Sequence, residues 1–342
     1  MVIIALIAVV VFGFMVCQPI NPYNEEGKAK DGDFQLYQNI VEQIHTGKDY
    51  YSAADNELHK MGYATRSVFN WRLPVLAWLL GHLQSIRTGQ ILVFVLALIS
   101  LLIWMTAFYQ KRYDLWQTFL GGMIISGPVI YSFMHGPVMF HEFWAGTLIA
   151  LSLGAYARGW RIAAVISGLM ALLLRELSLP FVCVMMVLAY MEGQRREALF
   201  WLIGILAFGG ELLLHWSIVS KLITENDRTI QGGWIVFSGW PFVLRTAQMN
   251  VYLLAAPPWI TAIIMPLSLL GLAGWRDELG LRVACTVGIY VLAFLMVGRP
   301  VNVYWGLMYN FVLPLGLLHA PAALRDLWQP IQTELLPNKA KS

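Results

Sequence analysis

Two carboxylates that could act in catalysis follow directly after the first apolar run of the chain. They are Asp31 and Asp33, in the stretch Lys30-Asp31-Gly32-Asp33-Phe34. A carboxylate within reach of a hydroxyl can accept its proton as the oxygen attacks an electrophile. Asp33 is therefore the first candidate for a general base, and Asp31, two residues earlier, is the reserve.

A second group of ionisable residues flanks later apolar runs. Its members are Arg72, His141, Glu142, Arg175, Glu176 and Arg299. Ionisable side chains at membrane depth are costly, which makes them functional candidates by default. The planar guanidinium of arginine suits bidentate binding of phosphate. Acidic and basic groups gathered at one membrane face are what a site at the lipid–water boundary would need.

Several of these residues also have purely structural interpretations. Asp31 and Asp33 could be solvated or could cap a helix over 34–45. Arg72 and Arg299 could extend towards lipid headgroups at the edge of the membrane. These alternatives stay open at the level of the sequence.

The adjacent pairs of candidates are equally open to a structural interpretation. Arg175 and Glu176 could form an ordinary ion pair that closes a helical hairpin. His141 and Glu142 match no zinc-binding spacing, and the three cysteines form no CxxC motif. No metal site and no cofactor are predicted.

The elements that must position these residues are membrane helices. The chain is 58% hydrophobic and 13% charged, with a mean hydropathy of +0.62. A soluble domain carries about twice that charged fraction. A net charge of +3 does not favour nucleic acid as a partner. We expect an all-α, polytopic integral membrane protein with one transmembrane domain over residues 1–342.

Ten apolar runs are candidate spans, of which the fifth and sixth are short. They lie at about 2–17, 90–109, 115–133, 138–157, 161–174, 177–191, 198–219, 251–274, 282–298 and 303–320. The first run lacks a basic start and a cleavage site, so we interpret it as an uncleaved helix.

Lys and Arg predict the orientation of these spans, because they concentrate in one alternate set of connections. That set is predicted to be cytoplasmic, together with both termini and a tail at 321–342. Residues 18–89 and 220–250 then form two extracytoplasmic loops. In the first loop we expect an amphipathic helix over 34–45 and an interfacial segment from Leu73 to Leu83. The short loops suggest a bacterial inner membrane.

The stretch from Asp33 to Tyr50 resembles the first external loop of the GT-C glycosyltransferases. These enzymes use polyprenyl- or dolichyl-phosphate sugars and include the protein O-mannosyltransferases and the aminoarabinose transferases. Their loop helix begins D-E-x-x-Y and ends near G-D-W. Asp33, Tyr37, Ile40 and Asp49-Tyr50 match this pattern, and Phe34 replaces the Glu.

A second stretch, Trp71 to Leu79, is similar to the family motif K-P-P-L-x-Y-W-L. Arg72 stands at the Lys position and Pro74 at the second Pro. Further similarities follow in order along the chain: Glu142 opens a span, and Arg175-Glu176 stands where the family often has Lys or Arg. The resemblance covers residues 1–190 or so, and the remainder agrees in topology alone.

The resemblance implies an inverting transfer of a sugar from a polyprenyl-phosphate donor to an acceptor hydroxyl at the extracytoplasmic face. The acceptor is a lipid, a glycan or a protein. Asp33 would be the base, and Arg72, Arg175 and Arg299 would hold the donor phosphate. A divalent metal occurs in some relatives, but no ligand cluster here argues for one.

The remaining candidate residues would contact substrate. Tyr37, His141, Glu142 and Glu176 would orient the sugar, the acceptor or the phosphate. Two alternatives to an enzyme remain: a lipid or solute transporter, or a non-catalytic membrane subunit of an envelope-glycan assembly. A transporter would place its charges near the bilayer midplane and commonly shows two related halves.

Overall fold

The computed structural model describes residues 2–17, 32–134, 136–229 and 236–335. All regular structure in these ranges is helical, which confirms the predicted all-α class. The first half contains α1 (Val2–Val16), α2 (Gly32–His45), α3 (Tyr50–Lys60), α4 (Pro74–His82), α5 (Ile86–Gln110), α6 (Leu115–Ile125), α7 (Gly127–Ser132) and α8 (His141–Ala157). The second half contains α9 (Arg161–Leu174), α10 (Leu179–Met191), α11 (Arg195–Leu222), α12 (Gly239–Ala247), α13 (Val251–Leu254), α14 (Pro258–Gly274), α15 (Glu278–Met296) and α16 (Ala320–Leu335).

Short 3₁₀ helices complete the chain. They cover Val68–Asn70, Pro137–Met139, Glu176–Ser178, Pro300–Met308 and Leu313–Leu318. Among the described helices, α5, α11 and α15 are long and apolar enough to cross a membrane. Shorter apolar helices lie at Val2–Val16, Arg161–Leu174, Glu176–Met191 and Pro258–Gly274. These segments support the predicted polytopic architecture.

Several of the ten predicted spans are not single α-helices; the run at 251–274, for example, divides into α13 and α14 before Pro258. The run at 115–133 divides into α6 and α7 at Ser126, just before Gly127-Pro128. Proline at the start of α7 has no N–H to continue the preceding helix. The expectation of one continuous helix there was wrong.

The predicted last span, 303–320, is also not a continuous α-helix. It consists of the 3₁₀ helices Pro300–Met308 and Leu313–Leu318, and almost all of its residues are buried. Gly306 lies so close to α12 that a Cβ there would overlap the carbonyl oxygen of Thr246. Asn310 donates to that same oxygen at 2.6 Å. Irregular backbone is tolerated at membrane depth when it is enclosed by protein in this way.

Ion pairs join the basic connections at one end of the bundle. Lys111 pairs with Asp277 at 2.6 Å, and Arg282 pairs with Glu192 at 2.6 Å. Arg161 lies 3.8 Å from Glu197. These contacts bring together the connections that the sequence assigned to one side of the membrane. We call this side of the bundle the basic end.

At the opposite end, α2, α3 and α4 pack into a compact unit, which we call the external segment after its predicted side of the membrane. Its helices pack through Ile40, Val41 and Ile44 of α2, which are buried. The predicted helix over 34–45 is thus confirmed within two residues, and α4 occupies the predicted stretch Leu73–Leu83. Asp49 caps α3 by accepting from Tyr51 N and Ser52 N at 3.0 and 3.1 Å.

Residues of the predicted second extracytoplasmic loop contact those of the predicted first loop. The Arg228 carbonyl accepts from the backbone N–H groups of Thr65 and Arg66 at 3.1 and 3.2 Å. His59 Nε2 lies 3.0 Å from Oδ1 of Asp227. Of the two predicted loops, the structure describes residues 32–89, 220–229 and 236–250.

Candidate active site

A cavity opens between the external segment and the irregular stretch 300–308. Its empty space, including the open mouth, is about 1050 Å³. One part of the wall is apolar and comes from α2, α3 and α4, with Ile40, Leu58 and Leu80 among its residues. The other part is polar and carries Asp33, Tyr37, Asn70, Arg72, His141, Arg299, Asn302 and Tyr304. The cavity can therefore accommodate a molecule with one polar and one apolar portion.

Asp33 lies in the first turn of α2, with its carboxylate held between two tyrosines. The Tyr63 hydroxyl donates to Oδ1 at 2.8 Å, and the Tyr304 hydroxyl donates to Oδ2 at 3.0 Å. Burial first, and the neighbouring Asp33 charge second, raise the pKa of Tyr63. Tyr63 therefore stays protonated and remains a hydrogen-bond donor. Two donors fix the orientation of the carboxylate in the cavity wall.

Arg72 is fixed by three tyrosines. Its Nε donates to the Tyr37 hydroxyl at 2.9 Å, and its Nη2 donates to the Tyr304 hydroxyl at 3.3 Å. The Tyr50 hydroxyl donates to the Arg72 backbone carbonyl. The Arg72 side chain is only 13% exposed, so the guanidinium is held in one orientation. The Tyr304 hydroxyl therefore links the Asp33 carboxylate to the Arg72 guanidinium through two hydrogen bonds.

Tyr37 supplies a further hydroxyl to the cavity. Burial raises its pKa to about 12, so the hydroxyl is protonated at neutral pH. Its oxygen accepts from Arg72, which leaves its own proton available for donation. A hydroxyl beside a guanidinium suits an anionic ligand.

Arg175 does not line the cavity. Its side chain is 1% exposed, with Nε 2.7 Å from Oε1 of Glu142 and Nη1 paired with Glu176. Glu176 Oε1 also lies 3.9 Å from Nη1 of Arg72. The charges thus alternate from Glu142 through Arg175 and Glu176 to Arg72. The ion pair anticipated for Arg175 and Glu176 is present, and it forms part of a buried network behind the cavity wall.

His141 begins α8 and lines the cavity. It is 3% exposed, and its ring lies 5.5 Å from the Tyr37 ring in an edge-to-face arrangement. Both ring nitrogens are buried and make no side-chain hydrogen bond in the described part of the chain, and the ring lies close to the Leu73 backbone. A buried polar group without such a bond is costly, which makes His141 a candidate for contact with a ligand.

The stretch around 300–308 completes the polar wall. Arg299 lies just before it and Asn302 within it, and both line the cavity. Asn302 is 5% exposed, and its Oδ1 has no hydrogen-bond partner in the described ranges. The stretch that leads into the last predicted span is thus brought against the external segment.

The structure gathers five of the sequence-predicted site residues on one cavity: Asp33, Tyr37, Arg72, His141 and Arg299. Glu142, Arg175 and Glu176 stand behind them. Asp31 lies outside the described residues, so its role as reserve base stays a prediction. Among the described residues, no group of three His, Cys, Asp or Glu side chains could hold a metal ion.

Sequence reasoning missed Tyr63, Tyr304 and Asn302. Tyr63 follows α3 in a turn, where no motif singled it out. Tyr304 lies 271 positions from Asp33, inside what looked like an ordinary apolar span. The polar Asn302 next to Arg299 was the one signal that this stretch could face a polar cavity.

No protein-family model matches the chain, and no curated protein matches it. Among solved structures, the chain is similar to ArnT from Cupriavidus metallidurans in the apo state, with 15% sequence identity and a TM-score of 0.48. The similarity covers 98% of this chain and 61% of ArnT, so the chain spans less than two thirds of that protein's length. A match of this degree carries no argument about activity, which must be argued from the cavity itself.

Proposed function

We propose that the protein is a membrane glycosyltransferase that moves a sugar from a polyprenyl-phosphate donor to an acceptor hydroxyl. The observation that carries this proposal is the composition of one cavity wall. Asp33, a candidate base, and Arg72, a candidate phosphate ligand, are joined there through the Tyr304 hydroxyl. Arg299 adds a second cationic residue to the same wall.

The reaction needs few groups. The acceptor oxygen forms a bond to the anomeric carbon while the bond from that carbon to the phosphate oxygen breaks. Asp33 takes the acceptor proton, and the electron pair leaves with the phosphate. Because a phosphate is a stable anion, no general acid is required. Direct displacement inverts the anomeric centre and yields the glycosylated acceptor and polyprenyl phosphate.

The cations stabilise the negative charge that grows on the departing phosphate. Arg72 is held by Tyr37 and Tyr304 before substrate arrives, so little reorganisation is needed during the reaction. Tyr37 would add its own O–H to a phosphate oxygen. Arg299 would contact the phosphate from the opposite element of the wall.

Arg175 has a different role in this proposal from the one expected at first. Two carboxylates, those of Glu142 and Glu176, already surround its guanidinium. We therefore assign Arg175, Glu142 and Glu176 to positioning, because Glu176 connects this network to Arg72. His141, which lines the cavity beside the Leu73 backbone, would contact a hydroxyl of the sugar or of the acceptor.

The apolar wall supports a lipid-linked donor. Ile40, Leu58 and Leu80 would pack against the part of the lipid nearest the phosphate. The basic connections lie at the opposite end of the bundle, and the positive-inside rule therefore supports an extracytoplasmic position for the cavity. A multi-pass protein of a bacterial inner membrane with both termini inside fits this orientation.

The test is transfer of radiolabelled sugar from a panel of polyprenyl-phosphate sugars in membranes that contain the protein. Asp33→Asn should lower the rate about 100-fold or more, because the base is lost. Arg72→Ala should lower it by a similar factor, because the leaving phosphate loses its preorganised cation.

Matched controls lie on the same external segment. Glu42 is an exposed carboxylate on α2, and Arg66 is an exposed arginine before the 3₁₀ helix at 68–70. Glu42→Gln and Arg66→Ala should retain transfer. Transfer that survives Asp33→Asn but fails in Asp31→Asn would move the base to Asp31. Absence of transfer from every donor, with inserted and folded protein, would favour the transporter or the non-catalytic subunit.

A further inference from the structure

A second cavity lies at the basic end, remote from the candidate active site. We call it the basic pocket. Its empty space, including its wide mouth, is about 890 Å³. It is lined by Lys111, Arg112, Tyr113, Gln117, Trp275, Arg276, Asp277 and His319. The connection between α5 and α6, the connection between α14 and α15, and the start of α16 meet there.

The charges of the basic pocket are unbalanced. Lys111 pairs with Asp277 at 2.6 Å, and Arg276 pairs with Asp326 at 3.0 Å. The Arg112 side chain has no hydrogen bond or ion pair within the described part of the chain. One guanidinium in the wall is thus uncompensated, which favours an anionic ligand.

Arg112 also stands where glycine is usual. Its φ is +56°, and it follows the end of α5, where Tyr113 N donates to the Phe108 carbonyl at 3.2 Å. This is a helix C-terminus of the type that glycine favours, because a side chain strains the left-handed backbone. The corresponding turns after α2, α3, α8 and α10 use Gly47, Gly62, Gly159 and Gly193, all with positive φ. Arg112 is the one non-glycine residue with positive φ in the described ranges. Strain of this kind persists where the side chain has a function.

The wall of the pocket is aromatic and fixed. Trp275 stacks on His319 with ring centroids 4.4 Å apart, and the Tyr113 hydroxyl lies 3.1 Å from Nε2 of His319. Next to Arg112, α6 begins with Leu115 and Trp116, which are 83% and 78% exposed. Aromatic and aliphatic side chains exposed beside cations are typical of the boundary between headgroups and acyl chains. They favour a lipid over a soluble anion as the occupant.

We propose that the basic pocket binds the phosphate headgroup of an anionic phospholipid from the leaflet at this end. Arg112 would bind phosphate oxygens through its planar fork, with Lys111 and Arg276 nearby. The acyl chains would lie along Leu115 and Trp116. The site would brace three connections of the bundle and is separate from the proposed transfer reaction.

The proposal is tested by thermal unfolding of the purified full-length protein in neutral detergent. Dioleoyl phosphatidylglycerol should raise the unfolding midpoint, and dioleoyl phosphatidylcholine should not, since only a ligand that prefers the folded state stabilises it. Arg112→Gly should weaken the phosphatidylglycerol response at least about tenfold in lipid concentration. The same substitution should raise the midpoint without lipid, because it relieves the backbone strain.

Arg112→Gly should weaken the response to lipid but raise the unfolding midpoint without lipid. These opposite effects distinguish loss of the site from damage to the fold. Arg196→Ala is the matched control, since Arg196 is an exposed arginine at the same end of the bundle. This variant should keep the full response. A response that persists in Arg112→Gly, or that falls equally in Arg196→Ala, would overturn the site. An equal response to inorganic phosphate would overturn the assignment of a lipid.

Discussion

Tyr304 donates its hydroxyl to Oδ2 of Asp33 at 3.0 Å and accepts from Nη2 of Arg72 at 3.3 Å. A single hydroxyl thus joins the candidate base to the candidate phosphate ligand. It also ties the irregular stretch 300–308 to the external segment. The relative position of the two charged groups depends on this residue, which makes Tyr304 a positioning residue in the proposed reaction.

Tyr304→Phe should therefore lower kcat for sugar transfer by about 10- to 100-fold, the range expected from losing hydrogen bonds to charged groups. KM for the donor should change less, because Arg72 and Arg299 remain. Steady-state kinetics with a polyprenyl-phosphate sugar measures both quantities. Tyr290→Phe is the control, because it removes a buried hydroxyl that donates to Leu177 outside the cavity. An unchanged kcat in Tyr304→Phe, or an equal loss in Tyr290→Phe, would contradict the positioning role.

Arg175→Ala should destabilise the protein strongly. The substitution leaves the Glu142 carboxylate, which is 1% exposed, without its cation, and breaking a buried pair in this way costs about 3–5 kcal/mol. Thermal unfolding of the Arg175→Ala variant measures the loss of stability. The double variant Arg175→Met with Glu142→Met should lose less stability than the sum of the losses in the single variants Arg175→Met and Glu142→Met. Additive losses would mean that the two side chains do not act as a pair.

Local patterns in the sequence predicted the elements that carry the site. The apolar spacing of Tyr37, Ile40 and Ile44 gave the helix α2, and Asp49 marks the start of the helix that it caps. Such features depend on neighbours three or four residues away, so one sequence suffices to find them. The convergence of Asp33 and Arg72 was expected from the resemblance to a family, whereas Arg299 lies beyond the part of the chain that the resemblance covers.

Long-range packing could not be predicted in the same way. The contact of Tyr304 with Asp33, and the close approach of Gly306 to α12, depend on where distant segments meet. The run 303–320 has the hydropathy of a span, and hydropathy alone does not distinguish a helix from enclosed irregular backbone. The contact of Arg175 with Glu142 could not be predicted either, because the two residues are distant in sequence.

The contact between His59 and Asp227 should depend on pH. The hydrogen bond to Asp227 raises the pKa of His59. Burial tends to raise the pKa of Asp227, but the hydrogen bonds from His59 and Thr224 outweigh it and lower that pKa. When folding raises the pKa of a histidine, the resulting stabilisation is complete at pH values below the unfolded-state pKa of about 6.5. The stabilisation is lost as the pH rises through the folded-state pKa.

Hydrogen exchange of the backbone at Thr65 and Arg66, which bond to the Arg228 carbonyl, should therefore be faster at pH 8.5 than at pH 6 after correction for intrinsic rates. Asp227→Asn should remove most of this difference, because the neutral amide does not favour protonated His59. Asp55 also faces His59, at 3.1 Å, so Asp55→Asn is the comparison and should reduce the difference less. An identical pH response in wild type and Asp227→Asn would exclude this pair as its source.

Gly306 allows the stretch that carries Tyr304 to pack against α12. A Cβ at this position would overlap the backbone carbonyl of Thr246, and a backbone atom cannot rotate away as a side chain can. Gly306→Ala should therefore destabilise the protein by about 1–3 kcal/mol or more, the usual cost of overpacking. Gly210 in α11 has open space around its Cβ position, so Gly210→Ala should be neutral or stabilise by up to about 1 kcal/mol. Thermal unfolding compares the two variants. Equal midpoints would mean that the stretch 300–308 is not held against α12, and the cavity wall that includes Tyr304 would then lose its support.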